Sequence, residues 1–221
     1  MDLTDPQIER YSRQILLREV GGAGQEKIRS ARVLVAGEGS AVAIAALYLS
    51  AAGVGEICLA CGARNRAITD DISALNPETC VRPLVHGEVS DALAARHDLL
   101  VDLTVDAELR AALSRAALAA DRRLIAGDYG GDHGFVVALQ PRCGHGCLAC
   151  VEWPPLAATA TPLTPSLSGV VATVMATEVL KAIVGAGESL AGHLLRIDAC
   201  GPAYARDIIR RRRSCPVCGV T

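Results

Sequence analysis

The chain has 221 residues, 51% hydrophobic and 21% charged, with a net charge of −2 and an isoelectric point near 6.2. That balance describes one globular domain with a substantial core, and it excludes a disordered chain and a broadly basic nucleic-acid or membrane surface. Aromatic residues at 3% leave few platforms on which single strands could stack.

In chain order, Thr4-Asp5-Pro6-Gln7 reads as a helix start, with a capping side chain, an early proline and a glutamine in the first turn. A short helix to about Leu17 follows, and Gly21-Gly22-Ala23-Gly24 interrupts it before one or two further helical turns at residues 25–30. Residues 32–36 are a short apolar run with Gly37-Glu38-Gly39 behind them. The alanine-rich stretch 41–52 has helix-forming composition and stops at Gly53, and residues 56–61 look like a second buried strand. Strand, glycine turn, helix and strand make a βαβ unit. The alternation continues with strands at 81–85, 98–103 and 123–126 and helices at 69–75, 91–96 and 106–120. Asp70 and Asp71 read as the cap and first turn of their helix. This pattern predicts an α/β fold with a doubly wound, mostly parallel, Rossmann-like sheet.

After Gly127 the pattern changes. Residues 134–139, 193–198 and 203–209 are extended, and a long helix spans 169–184. One domain of residues 1–221 is expected, with a helical arm (1–30), a nucleotide-binding-like core (31–140) and a zinc-stapled C-terminal portion (141–221). Mean hydropathy is +0.30, yet the uncharged runs 39–55 and 153–177 are broken by Gly53-Val54-Gly55 and by Pro154, Pro155, Pro162 and Pro165. Neither predicts a membrane span. The acidic, polar N-terminus is unlike a signal peptide. A cytoplasmic protein with neither nucleic-acid nor membrane partners is the expectation.

Nine cysteines stand out. Cys58, Cys61, Cys80, Cys143 and Cys200 are scattered, whereas Cys147-Leu-Ala-Cys150 and Cys215-Pro-Val-Cys218 are tight pairs. The two-residue spacer lets a turn aim both sulfurs at one point. Two such pairs supply four thiolates for one tetrahedral ion, so structural zinc on Cys147, Cys150, Cys215 and Cys218 is expected. Redox-active dithiols or plain buried cysteines are the alternatives, and Cys143 and His145 are possible substitute ligands.

A Gly37-Glu38-Gly39 turn directly after a strand suits a phosphate, because glycine permits close backbone approach and the next helix offers its N–H groups. The pattern is incomplete: Val42 stands at the third glycine position, and Glu38 places a negative charge beside the expected phosphates. A carboxylate about 20 residues on would hold a ribose hydroxyl, but Ala60-Cys61-Gly62 stands there. Ordinary NAD use is therefore disfavoured.

Arg10-Tyr11-Ser12-Arg13-Gln14-Ile15-Leu16-Leu17, Gly21-Gly22-Ala23-Gly24-Gln25 and residues 31–39 resemble the opening of the ThiF/MoeB/HesA proteins, relatives of ubiquitin-activating enzymes. The likeness resumes at Ala74-Leu75-Asn76-Pro77, at Asp98-Leu99-Leu100-Val101-Asp102, along residues 169–181 and at Ser214-Cys215-Pro216-Val217-Cys218-Gly219. It implies a homodimeric adenylyltransferase that uses ATP and Mg²⁺ to activate the C-terminal Gly-Gly carboxylate of a ubiquitin-like sulfur-carrier protein. Gly37 and Gly39 would contact the nucleotide, and Arg13 would reach it from the partner subunit. Asp102 and Asp106 are the carboxylates that could serve the catalysis.

The departures from the family pattern concentrate at the nucleotide. Its aspartates after the second strand are replaced around Cys61, Gly62 and Ala63, and the next segment is shortened. Arg64, Asn65 and Arg66 are possible partial substitutes. Lys27 and Lys181 are the only lysines, and neither lies near the family's lysine position. Val105 stands at the position of the family's metal-side aspartate, with Asp106 one place later. Residues 157–162 carry no cysteine where many members have one, so Cys58, Cys61 and Cys200 are read as buried packing residues.

The shortened segment and the ending look most like the HesA branch, which is associated with metallocluster assembly. The expectation is engagement of a sulfur carrier in sulfur transfer or metallocofactor assembly, with weakened adenylation. The alternative is an inactive scaffold, or a partner subunit pairing with an active homologue. Arg210-Arg211-Arg212-Arg213 reads as a solvated strand end, and Glu178 with Lys181 as a surface or interface ion pair.

Overall fold

The computed structural model describes residues 3–61, 65–84, 89–201 and 203–219. Gly62, Ala63 and Arg64, the side chains of Asn65 and Arg66, and Val85 lie outside the described residues. Among the described residues the chain runs α1 (Asp5–Ile15), α2 (Gly21–Ser30), β1 (Arg32–Gly37), α3 (Ser40–Ala52), β2 (Glu56–Ala60), α4 (Asn65–Leu75), β3 (Cys80–Pro83), α5 (Asp91–Ala95), β4 (Leu99–Leu103), α6 (Ala107–Ala120), β5 (Arg123–Gly130), β6 (His133–Leu139), α7 (Thr164–Val184), β7 (His193–Asp198) and β8 (Ala203–Ile208).

All eight strands form one sheet in the order β3-β2-β1-β4-β5-β6-β7-β8. β3, β2, β1, β4 and β5 are parallel neighbours, and β6, β7 and β8 continue antiparallel. Strand alternation builds two cores. Val33, Val35, Ile57, Leu59, Val101 and Ile125 pack under α3 and α7, while Leu34, Ala36, Leu100, Leu124 and Ala126 pack under α6. The expected doubly wound, mostly parallel sheet is what forms. Its strand order reverses between β1 and β4, which opens a crevice at their C-terminal ends.

Two of the quoted motif stretches meet in the interior. Asn76 donates from Nδ2 to the Tyr11 hydroxyl at 3.0 Å and to the Ser50 carbonyl at 2.7 Å. Tyr11, on α1, is 1% exposed, so this network fastens the N-terminal arm to the end of α3. The Thr4–Gln7 capping box forms as expected.

Several local expectations are corrected. Gly21, Gly22, Ala23 and Gly24 form the first turn of α2 rather than a break, because α2 packs against α7, with Lys27 Nζ bound to the Val184 carbonyl at 3.0 Å. The long helix begins at Thr164, with proline in its first turn, where no backbone N–H is required. It is long and apolar enough to cross a membrane by length and composition, yet here Leu167, Val171, Met175 and Val179 bury its face against the sheet. At Gly127 a Cβ would lie 2.3 Å from Met175 Sδ, so the helix rides directly on the backbone of β5. α4 starts at Asn65, so Asp70 and Asp71 sit inside the helix and not at its cap.

Candidate nucleotide site and tetrathiolate cluster

The Gly37-Glu38-Gly39 turn leaves β1 at the topological reversal. Gly37 has φ +139°, and a Cβ there would lie 2.4 Å from the Leu103 carbonyl carbon and oxygen. Only glycine lets β1 and β4 stay this close as the chain turns into α3. Gly39 caps α3 at φ +83° with no side-chain cap, which leaves the first-turn N–H groups open to an anion. A Cβ on Gly39 would lie 3.8 Å from the Tyr129 hydroxyl, and Ser40 Oγ lies 3.0 Å from Ser168 Oγ. Helix α7 and strand β5 therefore flank the turn.

Below the turn, on β4, Asp102 is fully buried. Its Oδ1 accepts the Thr104 N–H at 2.9 Å and its Oδ2 takes Arg110 Nε at 3.1 Å. Burial pushes its pKa up to about 6, even though the Arg110 charge opposes the rise. Arg110, one turn into α6, also binds Asp128 at 3.0 Å and donates to the Thr104 carbonyl at 2.6 Å. Its guanidinium carbon lies 5.1 Å from the centroid of the Trp153 ring.

Asp106 is the N-cap of α6, accepting from Glu108 N at 2.8 Å and Leu109 N at 3.2 Å. The structure thus gathers Gly37, Gly39, Asp102 and Asp106 at one edge. It adds Arg110, which sequence reasoning missed because its partners Asp102 and Asp128 lie on separate strands.

Arg13 is not at this edge within one chain. It is exposed on α1, and its neighbour Gln14 binds the Ala52 carbonyl at the far end of α3, roughly 20 Å along that helix from Gly39.

Cys61, which follows β2, is buried, and burial pushes its thiol up to about 11. Cys58 is likewise buried, its thiol pushed up to about 12 by burial and by Glu56. Cys200 is exposed, correcting its reading as a packing residue. In the 157–162 segment, Thr161 Oγ1 donates to Asp132 Oδ1 at 2.5 Å, which pins that segment to the β5–β6 turn.

Cys147, Cys150, Cys215 and Cys218 converge as expected. All four are buried, and their sulfurs lie within 4.8 Å of one another. Cys147 Sγ is 3.7 Å from Cys215 Sγ, and Cys150 Sγ is 3.4 Å from Cys218 Sγ. Four thiol ligands at these separations fit a metal ion and are compatible with structural zinc. Cys143 is exposed and stands outside the cluster.

The arginine run is not simply solvated. Arg211 binds the Cys218 carbonyl through Nε at 2.7 Å, and Arg212 donates a backbone N–H to Cys150 Sγ at 3.5 Å. The first closes the Cys215–Cys218 knuckle on itself and the second fastens it to the Cys147–Cys150 knuckle, outer contacts of the kind that orient metal ligands. The expected Glu178–Lys181 ion pair forms, with Glu178 buried within this chain and also accepting the Leu190 N–H at 2.9 Å.

Comparison with known proteins matches this chain to the ThiF family over residues 11–60 and 62–218. The heterocyst HesA protein of Trichormus variabilis is 30% identical over 245 residues, covering 99% of this chain and 91% of that protein. The sulfur carrier protein ThiS adenylyltransferase of Escherichia coli is 32% identical over 247 residues, covering 98% and 97%. The molybdopterin-synthase adenylyltransferase of the same organism is 27% identical over 247 residues, covering 99% of each chain. Among solved structures, the fold resembles Escherichia coli MccB crystallised with ATP, with a TM-score of 0.77 at 20% identity over 96% of this chain and 75% of that one.

Proposed function

Because this chain belongs to the ThiF family, we propose that it binds ATP at the Gly37–Gly39 turn and adenylates the C-terminal Gly-Gly carboxylate of a ubiquitin-like sulfur-carrier protein. The observation that carries this reading is the uncapped glycine turn at the strand-order reversal, in a chain similar over nearly its whole length to named sulfur-carrier adenylyltransferases. A carrier carboxylate oxygen attacks the α-phosphorus, the bond to the β-phosphate oxygen breaks, and pyrophosphate leaves. The α3 N-terminus then holds phosphate charge through backbone N–H groups. Arg13 of a second copy supplies the positive charge that one chain alone does not bring to the turn. The described residues do not offer Asp102 as a Mg²⁺ ligand, since both of its oxygens are engaged. Zinc in the tetrathiolate cluster is a closed structural staple with no position left for a reacting water.

A second reading, a carrier-binding scaffold without turnover, is favoured by one specific feature. The Arg110 charge is already taken by Asp102 and Asp128, and Glu38 adds a further negative residue to the turn. Exchange of labelled pyrophosphate into ATP separates the two readings. Carrier-dependent exchange that falls about 100-fold in Arg13→Ala is expected from the adenylating enzyme. Background exchange with every Gly-Gly carrier offered would reject that reading in favour of the scaffold.

A further inference from the structure

At the opposite edge of the sheet, where β2 begins, three side chains of different chemistry converge. Glu56 and Cys58 are two residues apart on β2 and so share a face, and His97 stands between α5 and β4. One ligand atom from each lies within 4.8 Å of the others. Cys58 is 3% exposed and His97 is 2% exposed. His97 Nδ1 is 2.8 Å from the Leu93 carbonyl, which places the ring proton on Nδ1 and leaves the lone pair on Nε2. That nitrogen is buried with no hydrogen-bond partner among the described residues. An orphaned buried acceptor is destabilising, and a backbone-oriented imidazole with a bare Nε2 is how metal-ligating histidines are held.

The remaining two ligands have the spacing of a coordination edge. Cys58 Sγ is 3.5 Å from Glu56 Oε1. A tetrahedral ion with sulfur at about 2.3 Å and oxygen at about 2.0 Å spans a sulfur–oxygen edge of roughly 3.5 Å. Arg82 Nε holds the other carboxylate oxygen, Oε2, at 3.3 Å. Oε1 is therefore the oxygen turned to the thiol.

We propose that Glu56, Cys58 and His97 form a second metal site, separate from the tetrathiolate cluster, for a divalent transition-metal ion of the zinc and cobalt class. One thiolate, one imidazole and one carboxylate select such an ion over Mg²⁺ or Ca²⁺. Three protein ligands leave a fourth position for water, so the site is labile where the tetrathiolate is closed. On binding, the Cys58 S–H bond breaks, its proton passes to buffer, and a sulfur–metal bond forms where the thiol had donated to Glu56. No electron is transferred. The ion ties the turn before β4 to β2, far from the glycine turn, and its role is to hold this edge rather than to serve acyl transfer.

The test uses the full chain with one equivalent of zinc already bound, followed by titration with Co²⁺, which does not displace zinc from thiolates. A second equivalent is expected, with a thiolate-to-cobalt charge-transfer band. Cys58→Ser should abolish that band, and His97→Gln should weaken binding by about 100-fold or more, while both variants keep the first zinc. Glu56→Gln changes a partly exposed side chain outside both cores, so it serves if the buried variants fail to fold. It should weaken the second equivalent at least about 10-fold with no loss of the first. Uptake of a single equivalent, survival of the band in Cys58→Ser, or unchanged cobalt affinity in Glu56→Gln overturns the proposal.

Discussion

Arg110→Met is expected to lower folding stability by about 3–5 kcal/mol, the cost of leaving one partner of a buried ion pair uncompensated. Asp102 has 0% of its side chain exposed and Arg110 has 19%, so water cannot replace the lost partner. Arg110 also joins β4, β5 and the Thr104 carbonyl through one guanidinium. The companion double variant, Arg110→Met with Asp102→Asn, should recover much of the loss, because it removes the stranded charge as well.

The same carboxyl gives a pH signature of definite sign. With Asp102 lifted to about 6 in the folded chain and near 3.9 when unfolded, the unfolded state gives up its proton first. Its contribution to stability is fully present below about pH 4 and is lost as pH rises through about 6, a change of up to about 3 kcal/mol. Denaturant titrations across this range should show that slope in the wild type and lose it in Asp102→Asn. Equal slopes in the two proteins would place the folded Asp102 near its ordinary value.

If the four thiols hold structural zinc as proposed, Cys150→Ser should release it and lower stability by about 3 kcal/mol or more, taking one thiolate as roughly a quarter of the 10–16 kcal/mol of such a site. The physical reason is reach. The cluster joins the segment after β6 to the segment after β8, and the residues between the two pairs include α7, β7 and β8. Hydrogen exchange should accelerate first in β8, an edge strand whose residues are all exposed. A zinc content and an unfolding midpoint both unchanged from the wild type would mean that the four thiols hold no metal that supports the fold.

How much of this was legible in the sequence depended on how local each feature was. The βαβ unit, the reversal at the glycine turn and the two cysteine pairs follow from short-range pattern, and the fold places Gly37, Gly39, Asp102 and Asp106 at one edge accordingly. Tertiary packing overrode composition at residues 21–24, where contact with α7 makes a helix of a glycine-rich stretch. Position in the first turn rescued the proline at 165. Charge was the least legible property. The arginine run reads as solvated, yet Arg211 binds the Cys218 carbonyl seven residues on and Arg212 meets the Cys150 thiol 62 residues back, and Glu178 keeps its expected Lys181 partner but adds the Leu190 N–H. Arg110 was missed for the same reason, since Asp128 and Trp153 come from later strands and loops. Glu56, Cys58 and His97 carry no spacing signal, and only the register of the sheet and the turn before β4 bring them together.

Calorimetric titration of the zinc-loaded protein with Mg-ATP tests the central claim most directly. Binding at the Gly37–Gly39 turn predicts saturable heat in the micromolar range that weakens in Arg13→Ala, since in the proposed site that arginine is supplied by a second copy. No heat at millimolar nucleotide, with the zinc in place and the protein folded, would contradict ATP binding at this turn.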